Sequence, residues 1–547
     1  MNKVVSRAIS PVTRLFTQGW RLSALLISLA VLTPVMVIFW SLLNPDLEVW
    51  QHLKEHLLWE LTANTFWLVL GTASGTLVLG VALAWLTAVC EFPGRKIFSW
   101  ALLLPLAVPA YVTAFVMVGI FDFTGPLQGW MRSSGIEWAL PEIRSLGGVT
   151  LVMVLAFYPY VYLIARNAFA TQGKRALEAA QSLGYSPRAG FFKVALPMAR
   201  PWIIGGVMLV IMETLADFGT VSVFNYDTFT TGIYKAWFDM FSLQAASQLA
   251  SILVIFVFII VLLEQQARAR MRYTTVGKTA GKQERIPLKG WNSIAAVGFA
   301  STVMLLAFII PMTQLLIWAS DVVMDDLDSR YFDFLWHSLL LAAMAALLVV
   351  TAAVILAVAN RYHSDLTTRI MVRVATLGYA LPGPVLAVGA FIPIVWFDNQ
   401  LRDGLHTVFG YDGGLMLQGT IITLLIALCI RFMAVGFSAV DGNLQRITHS
   451  IDESAHSLGS SGLTLLRRVH LPILRGGLFT AMTLVFVDVM KEMPITLMTR
   501  PFGWDTLAVR VFEMTAEGEW ERAALPSIAI VLAGLIPIIL MNRHAQH

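Results

Sequence analysis

The chain has 547 residues, of which 57% are apolar and only 13% charged, and its net charge is +4. A soluble domain carries about 25% charged residues, so this composition excludes an ordinary soluble enzyme and points to a polytopic membrane protein. Two cysteines, Cys90 and Cys429, leave no disulfide framework to build on.

Lys3, Arg7, Arg14 and Arg21 precede the first uncharged run, 23–43. That run is too long for a cleaved secretory signal and has no small-residue cleavage site after Leu43. An acidic loop follows, with Glu48, Glu55 and Glu60, and carries His52 and His56 four apart. The pair could offer two metal ligands on a helix, but the stretch reads better as an exposed amphipathic one. Runs 65–90, 98–120, 147–165 and 338–359 also lack Asp, Glu, Lys and Arg. About 20 apolar residues cross the hydrocarbon core as a helix, and a membrane barrel would need alternating strands that are absent here. Twelve spans are expected, near 23–43, 65–90, 98–120, 147–165, 201–216, 247–263, 292–319, 338–359, 374–397, 414–430, 476–490 and 523–541. The fold class is therefore all-α and polytopic.

Residues 265–290 are polar and basic, with Arg268, Arg270, Arg272, Lys278, Lys282, Arg285 and Lys289 against Glu284. Basic and acidic loops alternate along the chain, which places both termini and this linker in the cytoplasm by the positive-inside rule. The same rule accounts for the basic linker without a nucleic-acid partner. The chain divides into a membrane domain 1–264, the linker 265–290 and a second membrane domain 291–547.

The two domains carry one signature in phase, 275 positions apart. The first copy runs Glu178-Ala179-Ala180, then Gly184, Val194 and Leu196-Pro197. The second runs Glu453-Ser454-Ala455, then Gly459, Val469 and Leu471-Pro472. Recurrence in phase marks a duplicated unit, and parallel repeats of even span number are related by an axis along the membrane normal. Locally the signature reads as a helix closed by a left-handed glycine. A second short helix follows, capped by Ser186 ahead of Pro187 or by Ser461, and ends before Pro197, since a residue preceding proline avoids the helical region. Ala179, Ala180 and Ala455 would let a second surface approach the backbone, with Glu178 and Glu453 as anchoring charges.

This pattern resembles the EAA loop of permease subunits in binding-protein-dependent ABC importers, over nearly the whole chain. Ser454 departs from the usual alanine. The resemblance implies the two-fold repeated permease fold and an inner bacterial membrane location. It also implies coupling to an ATPase through Glu178, Ala179, Ala180, Gly184, Leu196, Pro197, Glu453, Ala455, Gly459, Leu471 and Pro472. The partners it implies are two copies of the ATP-hydrolysing subunit and a periplasmic substrate-binding protein. The chain itself is expected to bind no cofactor, with ATP and Mg on the partner. Gly277-Lys278-Thr279 is the nearest approach to a phosphate loop, and Arg272 stands where its first glycine is required.

Glu213 and Asp217 lie four apart near the end of the fifth span, as do Asp488 and Glu492 in the eleventh, with Lys491 beside them. Carboxylates in a bilayer face a protein interior or a wet cavity. They either line a cation path or are neutralised locally, as by Lys491. Text around Glu213–Thr220, Phe229–Tyr234, Lys491–Pro494 and Arg500-Pro501 resembles ferric-iron-uptake permeases, which implies Fe³⁺ as cargo; thiamine, sulfate, molybdate and polyamine permeases share the architecture. Tyr226 and Tyr234 suit an interfacial aromatic belt better than iron ligation. Pro105, Pro109, Pro382 and Pro384 interrupt the third and ninth spans, where kinks could serve a gate. An ion-driven secondary transporter using the four acids as a relay is the rival from another class. A membrane enzyme is disfavoured by the lack of a clustered catalytic set.

Overall fold

The computed structural model describes residues 11–43, 47–136, 138, 140–173, 182, 184–269, 285–363, 365–410, 414, 416–460 and 462–545. Among them, eleven helices are long and apolar enough to cross a membrane. The twelfth expected span is the helix Ala524–Ala545, whose apolar stretch is counted over Ala524–Leu535. We number the spans in chain order: Gln18–Ser41, Leu58–Val89, Ala110–Ser133, Leu146–Thr171, Phe191–Ala216, Leu243–Gln266, Trp291–Asp326, Ser329–Tyr362, Gly383–Phe409, Ile421–Leu444, Gly462–Lys491 and the last helix.

Spans 3 and 9 begin later than expected, and Pro109 and Pro382 start their helices instead of kinking them. In the first half a helix Arg95–Ala101 and a tight turn Leu104–Ala107 lead to Val108, which is extended, and to Pro109, the cap of Ala110–Phe121. In the second half Leu366–Ala375 and Leu377–Ala380 lead to extended Leu381 and to Pro382, the cap of Gly383–Phe409. Steric conflict with the proline ring drives Val108 and Leu381 out of the helical region, and Pro384 sits in a first turn where its missing N–H costs nothing.

Compact packing does not follow the division 1–264, 265–290 and 291–547. One unit comprises 1–45 with 332–509; the other comprises 46–331 with 510–547. Span 1 thus packs within the unit built from the second half, and spans 7 and 12 within the unit built from the first. In the first of these units the buried stripe Ala24, Ser28, Val31, Val35 and Ile38 steps alternately by four and three along span 1. It meets span 9 so closely that a Cβ on Gly389 would lie 2.9 Å from the Pro34 carbonyl oxygen. Small residues permit such approach where lipid supplies no hydrophobic drive between helices. In the other unit Phe115 of span 3 stacks on Trp318 of span 7 and on Trp520, with ring centroids 6.4 and 6.5 Å apart. There the linker is stitched to the end of span 2: Ile286–Pro287 pairs in parallel with Cys90–Glu91, and Arg285 lies 3.7 Å from Glu91.

Spans 5, 7 and 11 each contain one widened turn, at Phe191–Ala195, Leu305–Ile309 and Leu466–His470. Each is followed by a residue and a proline: Leu196-Pro197, Ile310-Pro311 and Leu471-Pro472. The N–H of Leu196 reaches back five residues to Phe191, that of Ile310 to Leu305 and that of Leu471 to Leu466. A π turn relieves the clash between the proline ring and the carbonyl four residues earlier. The helix expected to end before Pro197 therefore continues through it into span 5.

Candidate coupling elements and membrane-embedded charges

The second signature copy lies almost wholly in the described residues. It forms the helix His449–Ser457, stopped by Gly459 at φ +79°. Glu453, Ser454 and Gly459 are exposed, and Leu458 is 86% exposed at the helix end. Ala455 is buried at 8%. It packs into the chain's own fold and is not offered to a second surface as expected, because it falls on the inner face of an amphipathic helix. Leu471 is half-buried and Pro472 exposed, as are Leu196 and Pro197 in the first copy. Glu178, Ala179 and Ala180 lie outside the described residues, as does Ser461. Gly184 is exposed at φ +81°. Ser186 caps the turn Pro187–Gly190 by accepting from the Ala189 N–H at 3.3 Å. At both signature glycines a Cβ would meet no atom within 4 Å, so glycine is there for its left-handed backbone.

Beneath the second copy is a polar cluster that the motif did not announce. Arg361, next to last in span 8, sends Nε and Nη2 to Asp452 Oδ2 at 3.0 and 2.6 Å. Its Nη1 and Nη2 also donate to the carbonyls of Leu444 and Ile447, at the end of span 10, at 3.1 and 3.0 Å. His470 Nε2 lies 2.8 Å from Asp452 Oδ1. A carboxylate can only accept, so Nε2 carries the hydrogen. Burial works to raise the Asp452 pKa, but the bonds from His470 and Arg361 outweigh it and hold it below the usual carboxylate range. Arg361, the only charge after Asp333 in the 34-residue helix Ser329–Tyr362, is the sequence signal that pointed here.

The acids at the ends of spans 5 and 11 repeat in geometry as well as in sequence. Spans 5 and 11 both break at an acid, Asp217 (φ −69°, ψ 131°) and Glu492 (φ −73°, ψ 120°). Asp217 accepts from the N–H groups of Thr220 and Val221 at 2.9 and 3.2 Å and from the Thr220 hydroxyl at 2.9 Å. Glu492 accepts from the N–H groups of Ile495 and Thr496 at 2.8 and 3.1 Å and from the Thr496 hydroxyl at 3.0 Å. Each carboxylate caps the short helix after the break. Glu213 and Asp488, one turn earlier, are half-buried, as is Lys491. Asp488 has Lys491 and Arg431 as electrostatic neighbours, and Arg431 also acts on Glu492. Arg431 lies inside span 10 and donates to the Leu381 carbonyl at the break before span 9, 3.1 Å away. It lies one residue beyond the expected end of span 10 at 430.

Asp227 and Asp505, equivalent in the repeat, hold the loops that follow through differently placed partners. Asn64 donates to the Asp227 carbonyl at 3.0 Å, and His337 contacts the Asp505 carbonyl at 3.1 Å. Lys235 pairs with Asp227 at 2.7 Å and Arg500 with Asp505 at 2.8 Å. Tyr226 bonds to Asn64, while Tyr234 packs on Phe218 and Phe512. His52 and His56 stack with centroids 4.7 Å apart on the helix Leu47–His56, whose Leu53 is fully buried. Among the described residues no group of three or more His, Cys, Asp or Glu side chains could hold a metal ion.

Comparison with known proteins agrees with this duplicated architecture. The model of the family described as "Binding-protein-dependent transport system inner membrane component" matches residues 76–272 and again 349–547. The chain is 26% identical to the Fe(3+)-transport system permease protein FbpB 2 of Haemophilus influenzae, across 89% of this chain and 90% of that protein. It is 22% identical to the ferric transport system permease protein FbpB of Actinobacillus pleuropneumoniae, across 82% and 64%. It is 32% identical to the sulfate transport system permease protein CysW of Escherichia coli K12, across 35% and 65%. With two family matches covering most of its length, and eleven described helices able to span a membrane, the chain belongs to the inner membrane components of binding-protein-dependent transport systems as a fused, two-copy permease subunit.

Proposed function

We propose that this permease passes ferric iron across the bacterial inner membrane, driven by ATP hydrolysis on a separate subunit and supplied by a periplasmic binding protein. The observation that carries the reading is the duplicated signature. In its second copy an exposed Glu453, a protruding Leu458 and a left-handed Gly459 end a short helix that leads directly into span 11. Such an element offers a knob for an ATPase groove, with one ATPase copy per knob. Both termini and both knobs face the cytoplasm by the charge pattern of the loops. ATP and Mg are held by the partner, because Arg272 stands in the way of a phosphate loop here. Iron as cargo is supported by the ferric permeases that match most of the chain.

The acids Glu213, Asp217, Asp488 and Glu492, with Lys491, belong to the cation's route. Asp217 and Glu492 shape it by fixing the helix breaks, and Glu213 and Asp488 lend negative charge. The test is uptake of radiolabelled iron in a strain lacking the chromosomal copy, with vanadate as inhibitor. Gly184→Asp combined with Gly459→Asp abolishes uptake while the protein still inserts. Normal uptake in that double variant, or vanadate-insensitive uptake driven by an ion gradient, refutes the reading. The sulfate permeases that match part of the chain favour a second cargo class. Sulfate uptake in place of iron uptake would establish it.

A further inference from the structure

We propose that Arg361, Asp452 and His470 form the mechanical linkage through which the second coupling helix moves spans 8, 10 and 11. This rests on the coupling role proposed for that helix and assigns its transmission to three residues outside the signature. Asp452 is the residue before Glu453, on the face of His449–Ser457 turned from the exposed signature residues. Its two oxygens are divided between two spans, Oδ2 to Arg361 at the end of span 8 and Oδ1 to His470 in span 11. Arg361 then ties in the end of span 10 through the Leu444 and Ile447 carbonyls. A push on the helix thus reaches three spans through one carboxylate. The side chains of Arg361, Asp452 and His470 are only 10%, 15% and 1% exposed, so water does not compete for these bonds. A guanidinium placing two N–H groups on one oxygen fixes direction as well as length, whereas an apolar contact can slide.

The sequence provides these three polar side chains in the second copy and not at the matching positions of the first. Asp452 and His470 correspond in phase to Leu177 and Ala195. Arg361, next to last in its helix Ser329–Tyr362, corresponds to Ala88, next to last in Leu58–Val89. All three polar positions are apolar in the first copy. The two signature copies, alike in motif, therefore differ in sequence at the positions that carry this linkage.

The experiment uses the complete transporter in proteoliposomes, measuring ATP hydrolysed and iron taken up by the same sample, with co-purified ATPase as the measure of assembly. Asp452→Asn keeps assembly and hydrolysis but lowers iron taken up per ATP at least tenfold. Asp452→Glu restores much of the ratio, and Leu177→Asn in the first copy leaves it within twofold of the parent. Uptake that falls only in proportion to assembled complex, or an equal loss from Leu177→Asn, overturns the linkage. Should Asp452→Asn fail to assemble, His470→Leu removes the donor, keeps the Arg361 bridge and decides the matter by the same ratio: an unchanged ratio overturns the proposal. A parent chain that brings down no ATPase overturns the coupling reading itself, and the linkage with it.

Discussion

Replacing Glu492 separates a carboxylate that holds a helix break from one that carries a cation. The residue is 6% exposed, and its side chain accepts three hydrogen bonds, two from backbone N–H groups at the start of Pro494–Thr499. Glu492→Ala leaves those two N–H groups unsatisfied at about 1–3 kcal/mol each. The Thr496 hydroxyl loses less, because the Glu492 carbonyl oxygen already lies 3.4 Å from it. The expected destabilisation is about 2–4 kcal/mol, toward the lower half of that sum, since groups within a membrane protein find alternative partners. Glu492→Gln keeps one acceptor oxygen and costs about 1–2 kcal/mol. Asp217→Ala and Asp217→Asn follow the same order, because Asp217 makes the matching three bonds. The assay is thermal unfolding of the detergent-purified protein, paired with iron uptake per folded molecule. Alanine is expected to lower the midpoint clearly and the amide modestly, with uptake per folded molecule largely kept by the amide. A Glu492→Gln protein as stable as the parent yet without uptake would refute the capping argument and make this carboxylate a cargo ligand.

Three further outcomes are expected. Gly389→Ala destabilises by about 1–3 kcal/mol, the usual cost of overpacking, because its Cβ would approach the Pro34 carbonyl oxygen; adding Ile38→Ala leaves most of the loss, since the backbone contact persists, and full recovery in a thermal melt would disprove this packing. Pro472→Ala removes the ring that imposes the wide turn Leu466–His470; span 11 then regains an α-helical register, read as altered cysteine cross-linking between residues 465 and 474, and an unchanged pattern contradicts the account. In a His470→Gln background, the stability that Asp452 gains from Arg361 is fully present above about pH 4, the ordinary aspartate range. It is lost as pH falls through the lower native pKa, because a depressed carboxylate pKa stabilises only while the group is ionised. A parent-minus-Asp452→Asn difference that already shrinks between pH 7 and pH 5 would contradict that sign.

Eleven of the twelve expected spans, the helical class and the duplication were legible in the sequence because each is set locally. Lipid demands about 20 apolar residues per helix whatever the neighbours, and an in-phase signature survives translation along the chain. The left-handed glycines at 184 and 459 were legible for the same reason. At Pro197 the rule about the residue before proline predicts an end, and only the surrounding helix could choose a widened turn instead. Span 1 shows its buried stripe in its letters, but not that span 9 is the surface it meets, since apolar stripes in a bilayer do not name their partners. Asp217 and Glu492 announced themselves as costly acids, and only the fold supplied the N–H groups that occupy them. Arg361, Asp452 and His470 are separated by up to 109 positions; no spacing rule joins residues so far apart, and tertiary packing alone brought one carboxylate between two cationic or N–H-bearing side chains.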